Sequence, residues 1–597
     1  MKINYQSDFK LLEVGGLCDT TTPFRYEYRT SRFATYVAQF DGETYTNCSR
    51  VDDNSLLVIF DSHSLDVGEL EVRRQYFITD TDFADKVNNS ISFERTGVTL
   101  TDGPSDTTQP SVTLLPAYIT IDSGSGSNSN SGYSDSQIDS LLATKLSTSD
   151  IVQEIGDSTT KVMSQAAATA SFMLKDDEDL ESLLAYGIQF NTAVSSPSCT
   201  RIGNTALHAS LPIQSLMRGC LLADDGTVNS YLPDDSWTSS VRDGSAGQVM
   251  VEIPAHYRKF VTDGTTRQVW LSTSALSGYD YVEKSYISAY EAALNRTTLK
   301  LSSVVNTTDS YRGGNNTSSW DDTYRDLRGC AVSNISLAQA RTYARNRDTS
   351  TTEWNCAVYE QYKSLYWLFT VEYATLNSQA AYNSSLSSEG YKQGGLGTGT
   401  SNVTSSAWTT YNSQNPFVAC GATDSMGNGT GILDVVVANS DYSVYYMTST
   451  CRYRGIENPF GHLGQLTDGI KVDVRNTTDG GVSMVYTAAY PANYSDSSYA
   501  GYELIGYESR SSSVYTNQII FGTSGDIVSS ATGGSSSTYH CDGHYTSTST
   551  TAVRVAVFGG ATFHDSYAGF TCLSSELTTS EVATYNGTRL SFIPNNN

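Results

Sequence analysis

The chain has 597 residues, with 37 Lys plus Arg set against 63 Asp plus Glu, a formal net charge of −26. That imbalance, uninterrupted by any long basic run, excludes recognition of nucleic acid through its phosphates. The length exceeds the roughly 250–300 residues at which a single core stops growing, so more than one domain is expected.

Only 17% of residues are charged, while serine, threonine, asparagine, glycine and 40 tyrosines are abundant. Such a chain holds water with hydroxyls and amides, which suits a β-rich surface protein better than a cytosolic helical enzyme. The opening MKINYQSDFKLLEVGG has no apolar h-region, so no secretory signal is expected. No 18 apolar residues run together, so membrane insertion is not expected either. The 10 cysteines form no CxxC pair, which argues against a zinc ribbon or a redox motif. Most are expected to be reduced and buried as small apolar groups.

Residues 1–122 read as short strands between turns: LLVIF (56–60), ELEVRRQYFI (69–78) and SVTLLPAYITI (111–121) carry β-branched and aromatic residues. The expectation is one antiparallel β domain, roughly a sandwich, with no catalytic motif. Its histidine, His63 in DSHS, reads as a polar surface residue.

Residues 123–184 form a joint. SGSGSNSNSG has linker composition, and short helical pieces follow. Their apolar residues are Ile138, Leu141, Leu142 and Leu146, then Ile151, Val152 and Ile155, then Val162 and Met163, each set preceded by serine or aspartate as N-cap. Helices this short are marginal alone and become stable when copies pack their apolar stripes together. Ile138, Leu141, Leu142, Ile151, Ile155, Val162 and Met163 are therefore the expected oligomerisation residues.

The wording DSTTKVMSQAAATA (157–170) resembles a recurrent joint of tailed-phage fibre proteins, which implies a trimerising neck. PFRYEYRT, VAQFDG and the stretch 52–87 resemble the N-terminal domain of virion appendage proteins from crAss-like phages of gut Bacteroidales. That resemblance spans most of 1–105 and implies a virion-anchoring domain, with capsid or tail proteins as partners and a head attachment favoured. A β-rich protein without a signal, made in the host cytoplasm and displayed on a particle released by lysis, is consistent with it.

Residues 185–597 read as a single α+β unit. GQVMVEIPAHYRKF (247–260) is expected to be a strand of alternating character. SLAQARTYARNRD (336–348) reads as an amphipathic helix with Leu337, Ala340, Tyr343 and Ala344 on one side. A second helix over 357–379 carries Tyr362, Leu365, Tyr366, Phe369 and Tyr373 at helical spacing, a stripe expected in the core. In CRYRGIENPFGHLGQLTDGIKVDV (451–474), Gly455, Gly461, Gly464 and Gly469 predict tight turns at close approach. The closing VRVAVFGG and GTRLSF read as final core strands. In this order the pieces resemble the C-type-lectin-like fold of the formylglycine-generating-enzyme type, discontinuously over 247–592. Two departures limit what the resemblance implies. Cys541 and Cys572 lie 31 residues apart, outside that enzyme's cysteine pattern, and Glu457-Asn458-Pro459 has the wrong order for calcium-dependent sugar binding. A scaffold displaying loops is what remains.

HCDGH (540–544) offers His540, Cys541, Asp542 and His544 as metal ligands, but no further ligand can be named, and a polar surface loop is the default. The groups Asp234-Asp235, Asp321-Asp322 and Asp176-Asp177-Glu178-Asp179 contain the residue type of a glycosidase pair, whose carboxyls must face each other about 5–10 Å apart. Adjacent acids are expected by chance in a chain this acidic. There is no G-x-S-x-G elbow and no P-loop. No catalytic residue, metal or cofactor is expected.

The tyrosine-rich loops are the better ligand candidates: Trp408, Tyr411, Tyr442, Tyr445, Tyr446, Tyr539 and Tyr545, with Tyr494 and Tyr499 nearby in composition. Tyrosine among serine, asparagine and glycine makes versatile recognition surfaces. The expectation is a homotrimeric virion fibre, not an enzyme, that attaches to host surface glycan. A capsule depolymerase, a tail fibre and a purely structural decoration are the alternatives.

Overall fold

The computed structural model describes residues 2–4, 9–14, 22–30, 35–52, 55–61, 63, 65–79, 87–101, 118–121, 151–152, 162–163, 177–321, 326–400, 403, 406, 417–438 and 445–594. Two compact units divide the chain, residues 1–148 and 149–597. β-sheet dominates the described residues.

In the first unit, strands β1 (Lys2–Asn4), β2 (Phe9–Val14), β3 (Phe24–Arg29), β4 (Thr35–Phe40), β5 (Tyr45–Thr46), β6 (Cys48–Asp52), β7 (Ser55–Phe60), β8 (Gly68–Thr79), β9 (Val87–Thr101) and β10 (Tyr118–Ile121) make two sheets. Their orders are β1-β9-β8-β3-β4-β5 and β10-β2-β7-β6. Pairing is antiparallel except for β1 on β9. In β3 the period of two places Phe24, Tyr26 and Tyr28 inward, while Arg25 and Glu27 pair on the outer face at 2.9 Å. Phe9 and Phe60 stack at 4.3 Å on one sheet and Tyr28 of the other meets Phe60 edge-on at 5.0 Å, so both sheets share one core. His63 is not a surface group. Its half-buried ring lies edge-on to Phe9, at 5.5 Å between centroids, and to Phe60, at 6.1 Å. Phe60 lies just before it in the chain, but Phe9 and Tyr36 come from distant strands, which is why its turn-like surroundings in sequence misled.

In the joint, Ile138, Leu141, Leu142 and Ile155 lie outside the described residues. Ile151–Val152 and Val162–Met163, read as helical from the sequence, are extended and pair in parallel, with Ile151 opposite Val162. Three of these four residues are β-branched, which favours strand over a short helix. The helix α1 (Asp177–Leu184) belongs by its contacts to the second unit. Glu181 pairs with Lys259 at 2.8 Å, and the Leu183 and Leu184 carbonyls accept from Asn204 and Ser272.

The second unit is organised around α3 (Tyr359–Tyr373), in which every residue except Glu360 is buried. The Tyr362–Tyr373 stripe lies in the core, but so does the opposite face. There Lys363 reaches Asp526 at 3.2 Å, and Glu372 accepts from Arg454 at 2.7 Å and from the Tyr453 hydroxyl at 3.0 Å. Strand Gly464–Val474, buried along its whole length, runs parallel to Trp354–Val358 and antiparallel to Ala552–Gly559 within the main sheet. The register shift between Thr467 and Lys471 contains Gly469 at φ 78°, where a Cβ would stand 2.8 Å from the Tyr494 ring. The helix α2 (Leu337–Arg345) starts at a capping box, Ser336 accepting from the Gln339 amide and Gln339 from the Ser336 amide.

The stretch 247–260, read as a single strand, is two. Gln248–Ile253 sits in the main sheet, buried on both faces, and His256–Asp263 sits in a separate five-stranded sheet. Pro254, which has no N–H to continue a ladder, separates them.

Candidate ligand-binding cleft

A cleft of about 460 Å³ opens where the N-terminal part of α3 meets four other segments. That volume lies within the roughly 300–1,000 Å³ of small-molecule sites. Its floor is Glu360, Gln361 and Ser364 of α3 with Arg258 of strand His256–Asp263. Residues 281–285 form one wall, 489–491 with Tyr494 the other, and Ile593 and Pro594 close one end.

The floor is a connected polar array. The Glu360 carboxylate accepts from Lys363 Nζ at 2.7 Å and from Arg258 Nη2 at 3.1 Å, and Arg258 Nη1 donates to Ser364 Oγ at 2.7 Å. Burial works to raise the Glu360 pKa, but the Lys363 and Arg258 charges outweigh it and hold the carboxyl below its ordinary range. The group stays ionised and is a hydrogen-bond acceptor whose charge is already compensated. Gln361 is locked by Ser285, at 2.9 Å, and by Ser591, at 2.8 Å. Lys363 also holds Asp526, so the floor is tied to the core.

Two large rings stand open at the mouth, Tyr490 with 72% of its surface exposed and Tyr281 with 56%. Tyr257 supports Tyr281 from behind, ring centroids 5.2 Å apart. Open aromatic faces beside an array of compensated donors and acceptors suit a ligand that is apolar on one face and hydroxylated at its edge.

Of the residues singled out from sequence, Trp408, Tyr411 and Tyr442 lie outside the described residues. Tyr445 and Tyr446 begin strand Tyr445–Tyr453, opposite Ala438 and Val437, and their side chains are also outside the description. Tyr539, at φ 58°, donates its amide to the Ser195 carbonyl at 2.7 Å. Tyr545 packs on His564 and Tyr567 and lines a smaller pocket. Tyr494 lines the cleft, whereas the Tyr499 hydroxyl donates to Asp473 at 3.0 Å. Tyr281, Tyr490, Arg258 and Glu360 were missed. YDYVEK and AYPANY are tyrosine-bearing loops like those chosen, but nothing local indicates that they face one another.

HCDGH is buried, not a surface loop. Asp542 accepts from the Thr571 amide and hydroxyl, both at 2.8 Å, and from Ser378 at 3.3 Å, and burial raises its pKa to about 7. His544 Nε2 meets the Ser509 carbonyl at 3.0 Å. Burial holds His540 and His544 near pKa values of about 4. Among the described residues no three His, Cys, Asp or Glu side chains are placed to share a metal ion. Cys541 and Cys572 are free thiols, and burial pushes Cys541 up to about 12. Asp234 pairs with the Asn428 amide at 2.6 Å and Asp321 with Arg312. Compared with known proteins, the chain matches no family model and no curated protein.

Proposed function

We propose that the chain is a virion fibre protein whose second unit is a C-type-lectin-like tip that attaches to host surface glycan. The first unit anchors it to the particle, with a head fibre favoured over a tail fibre, and the joint brings three copies together. The observation that carries the reading is the cleft: two exposed tyrosines, Tyr281 and Tyr490, over a compensated Arg258–Glu360–Lys363 floor. Sugars offer apolar faces to such rings and hydroxyls to such a floor. A buried helix, α3, and the glycine-punctuated 455–469 turns support the lectin-like assignment. Three tips acting together would give firm attachment from weak single sites.

Glu360 is held ionised by two cations, so this carboxylate accepts hydrogen bonds and does not serve as a general acid, which must carry a proton. The test is size-exclusion chromatography of the full chain with capsular polysaccharide from a susceptible host. Co-elution with intact glycan is expected, with Tyr281→Ala and Tyr490→Ala each releasing it. Shortened glycan would replace the adhesin by a depolymerase. No association by a trimeric protein would replace it by a structural decoration.

A further inference from the structure

The smaller pocket, about 200 Å³, lies where strands Gly464–Val474, Gly543–Thr546, Ala552–Gly559 and Gly569–Ser575 meet the 562–567 and 585–586 segments. It is less than half the volume of the cleft, so it accommodates one ring and not a length of chain. Its walls are aromatic. Tyr545 lies 4.9 Å from His564 between ring centroids, Phe563 lies 4.5 Å from His564, and Tyr585 stands perpendicular to Phe563 at 5.0 Å.

The polar groups are few and defined. His564 Nδ1 accepts the Ala561 amide at 2.7 Å, so the neutral ring carries its proton on Nε2 and is a donor there. Burial holds the His564 pKa down to about 4, so the ring keeps this form at neutral pH. Asn586 is buried, and Glu576 is exposed at the rim, accepting from Ser574 Oγ at 3.3 Å. No lysine or arginine lines the pocket, in a chain of net charge −26.

The pocket is also preformed. Tyr567 stacks on Tyr515 at 4.2 Å, the Tyr515 hydroxyl bonds Ser566 at 2.7 Å, and Gln379 holds the Asp565 carbonyl at 2.8 Å. A Cβ at Gly464 would stand 2.4 Å from Asn586 Oδ1, so glycine is what leaves this amide in place.

We propose that this aromatic cup is a second saccharide subsite that takes one uncharged pyranose ring. The tyrosine and phenylalanine faces cover the apolar side of the sugar, while His564 and Asn586 donate to hydroxyl oxygens and the Glu576 carboxylate accepts from a hydroxyl. A uronate is disfavoured, because its carboxylate would face Glu576 in a pocket that no lysine or arginine lines. The assignment rests on the glycan-binding reading above and adds a terminal-residue specificity to it.

Saturation-transfer NMR on the full chain, with glucose, galactose, mannose, N-acetylglucosamine and glucuronate as separate probes, tests it. At least one neutral sugar is expected to receive transfer and glucuronate is not. Tyr585→Ala should weaken the neutral sugar about tenfold, a change of about 1.4 kcal/mol. The exposed Glu576→Gln, which preserves shape, should weaken it several-fold and let glucuronate in. Tyr490→Ala should release polysaccharide, and the monosaccharide transfer that remains in it should still fall when Tyr585→Ala is added. No transfer from any neutral sugar, or equal transfer in Tyr585→Ala and Glu576→Gln, would overturn the subsite. If wild-type protein still retained polysaccharide in that case, the cleft reading would stand without it. A bound monosaccharide with no polysaccharide retained would leave the cup and remove the cleft.

Discussion

The two units solve burial in different ways. Among the described residues of the first, the interior is aliphatic and aromatic, and its buried polar side chains are Ser55, Arg74 and Thr96. The second buries charge throughout. Asp424 takes Arg242, Arg452 and the Tyr290 hydroxyl, Glu372 takes Arg454, Glu291 takes His462, and Asp468 takes Arg341. Apolar packing is non-directional and tolerates exchange of similar volumes. A buried ion pair adds little net stability but is costly to break, because the remaining partner is left charged without water. The sandwich is thus defined by area, and the second unit by pairing geometry. The cleft depends on the second kind of order, since its floor runs through Lys363 and Asp526 to the Tyr359 hydroxyl.

The largest expected effect follows from removing a hub charge. Asp424→Ala removes the ion-pair partner of Arg242 and one counter-charge of the fully buried Arg452, and should cost about 3–5 kcal/mol. In denaturant unfolding followed by hydrogen exchange, that loss should appear in the second unit and leave the first unit's protection unchanged. Equal loss in both units would break the comparison. Leu56→Ala, in a fully buried apolar position of β7, should cost about 3 kcal/mol in the first unit alone. There Leu56→Met should restore most of it, whereas Asp424→Asn should recover little, since the amide returns no charge to Arg242 or Arg452.

The smallest effect is the alkaline response of the second unit to pH. His256, His540, His544 and His564 are held to about 4 by burial, below their unfolded value. The stability they contribute as neutral rings is present above about pH 6.5 and is lost as pH falls toward 4. Asp542 and Glu508 move the other way, burial raising them to about 7 and about 8. Their contribution is complete below the ordinary carboxylate range and is lost as pH rises through those values. Tm of the second unit should peak at about pH 6.5 and fall a few degrees by about pH 8.5. Glu508→Gln should flatten the alkaline side, and an unchanged alkaline slope would show that Glu508 is not what ties stability to pH.

Much of the architecture was legible locally because it depends on period and on backbone chemistry. The alternation in FRYEYR, the Ser336–Gln339 cap and the positive-φ glycines 455, 461 and 469 each act within a few residues. Even the core stripe of α3 follows from spacing, although its second face does not, since Lys363 and Glu372 look solvent-facing until Asp526 and Arg454 arrive from far along the chain. The same distance hid the burial of HCDGH, whose polar side chains find Thr571, Ser378 and Ser509 in other segments. Tyrosine content alone singled out loops as ligand candidates. Which of them converge was decided by tertiary structure, because Tyr281 and Tyr490 share a cleft with Arg258 and Glu360 only after four separate segments have been packed. By itself, then, the sequence determined an acidic, tyrosine-rich, multidomain β protein, since composition and periodicity act locally. The site depended on long-range pairing of buried charges, which no short stretch encodes.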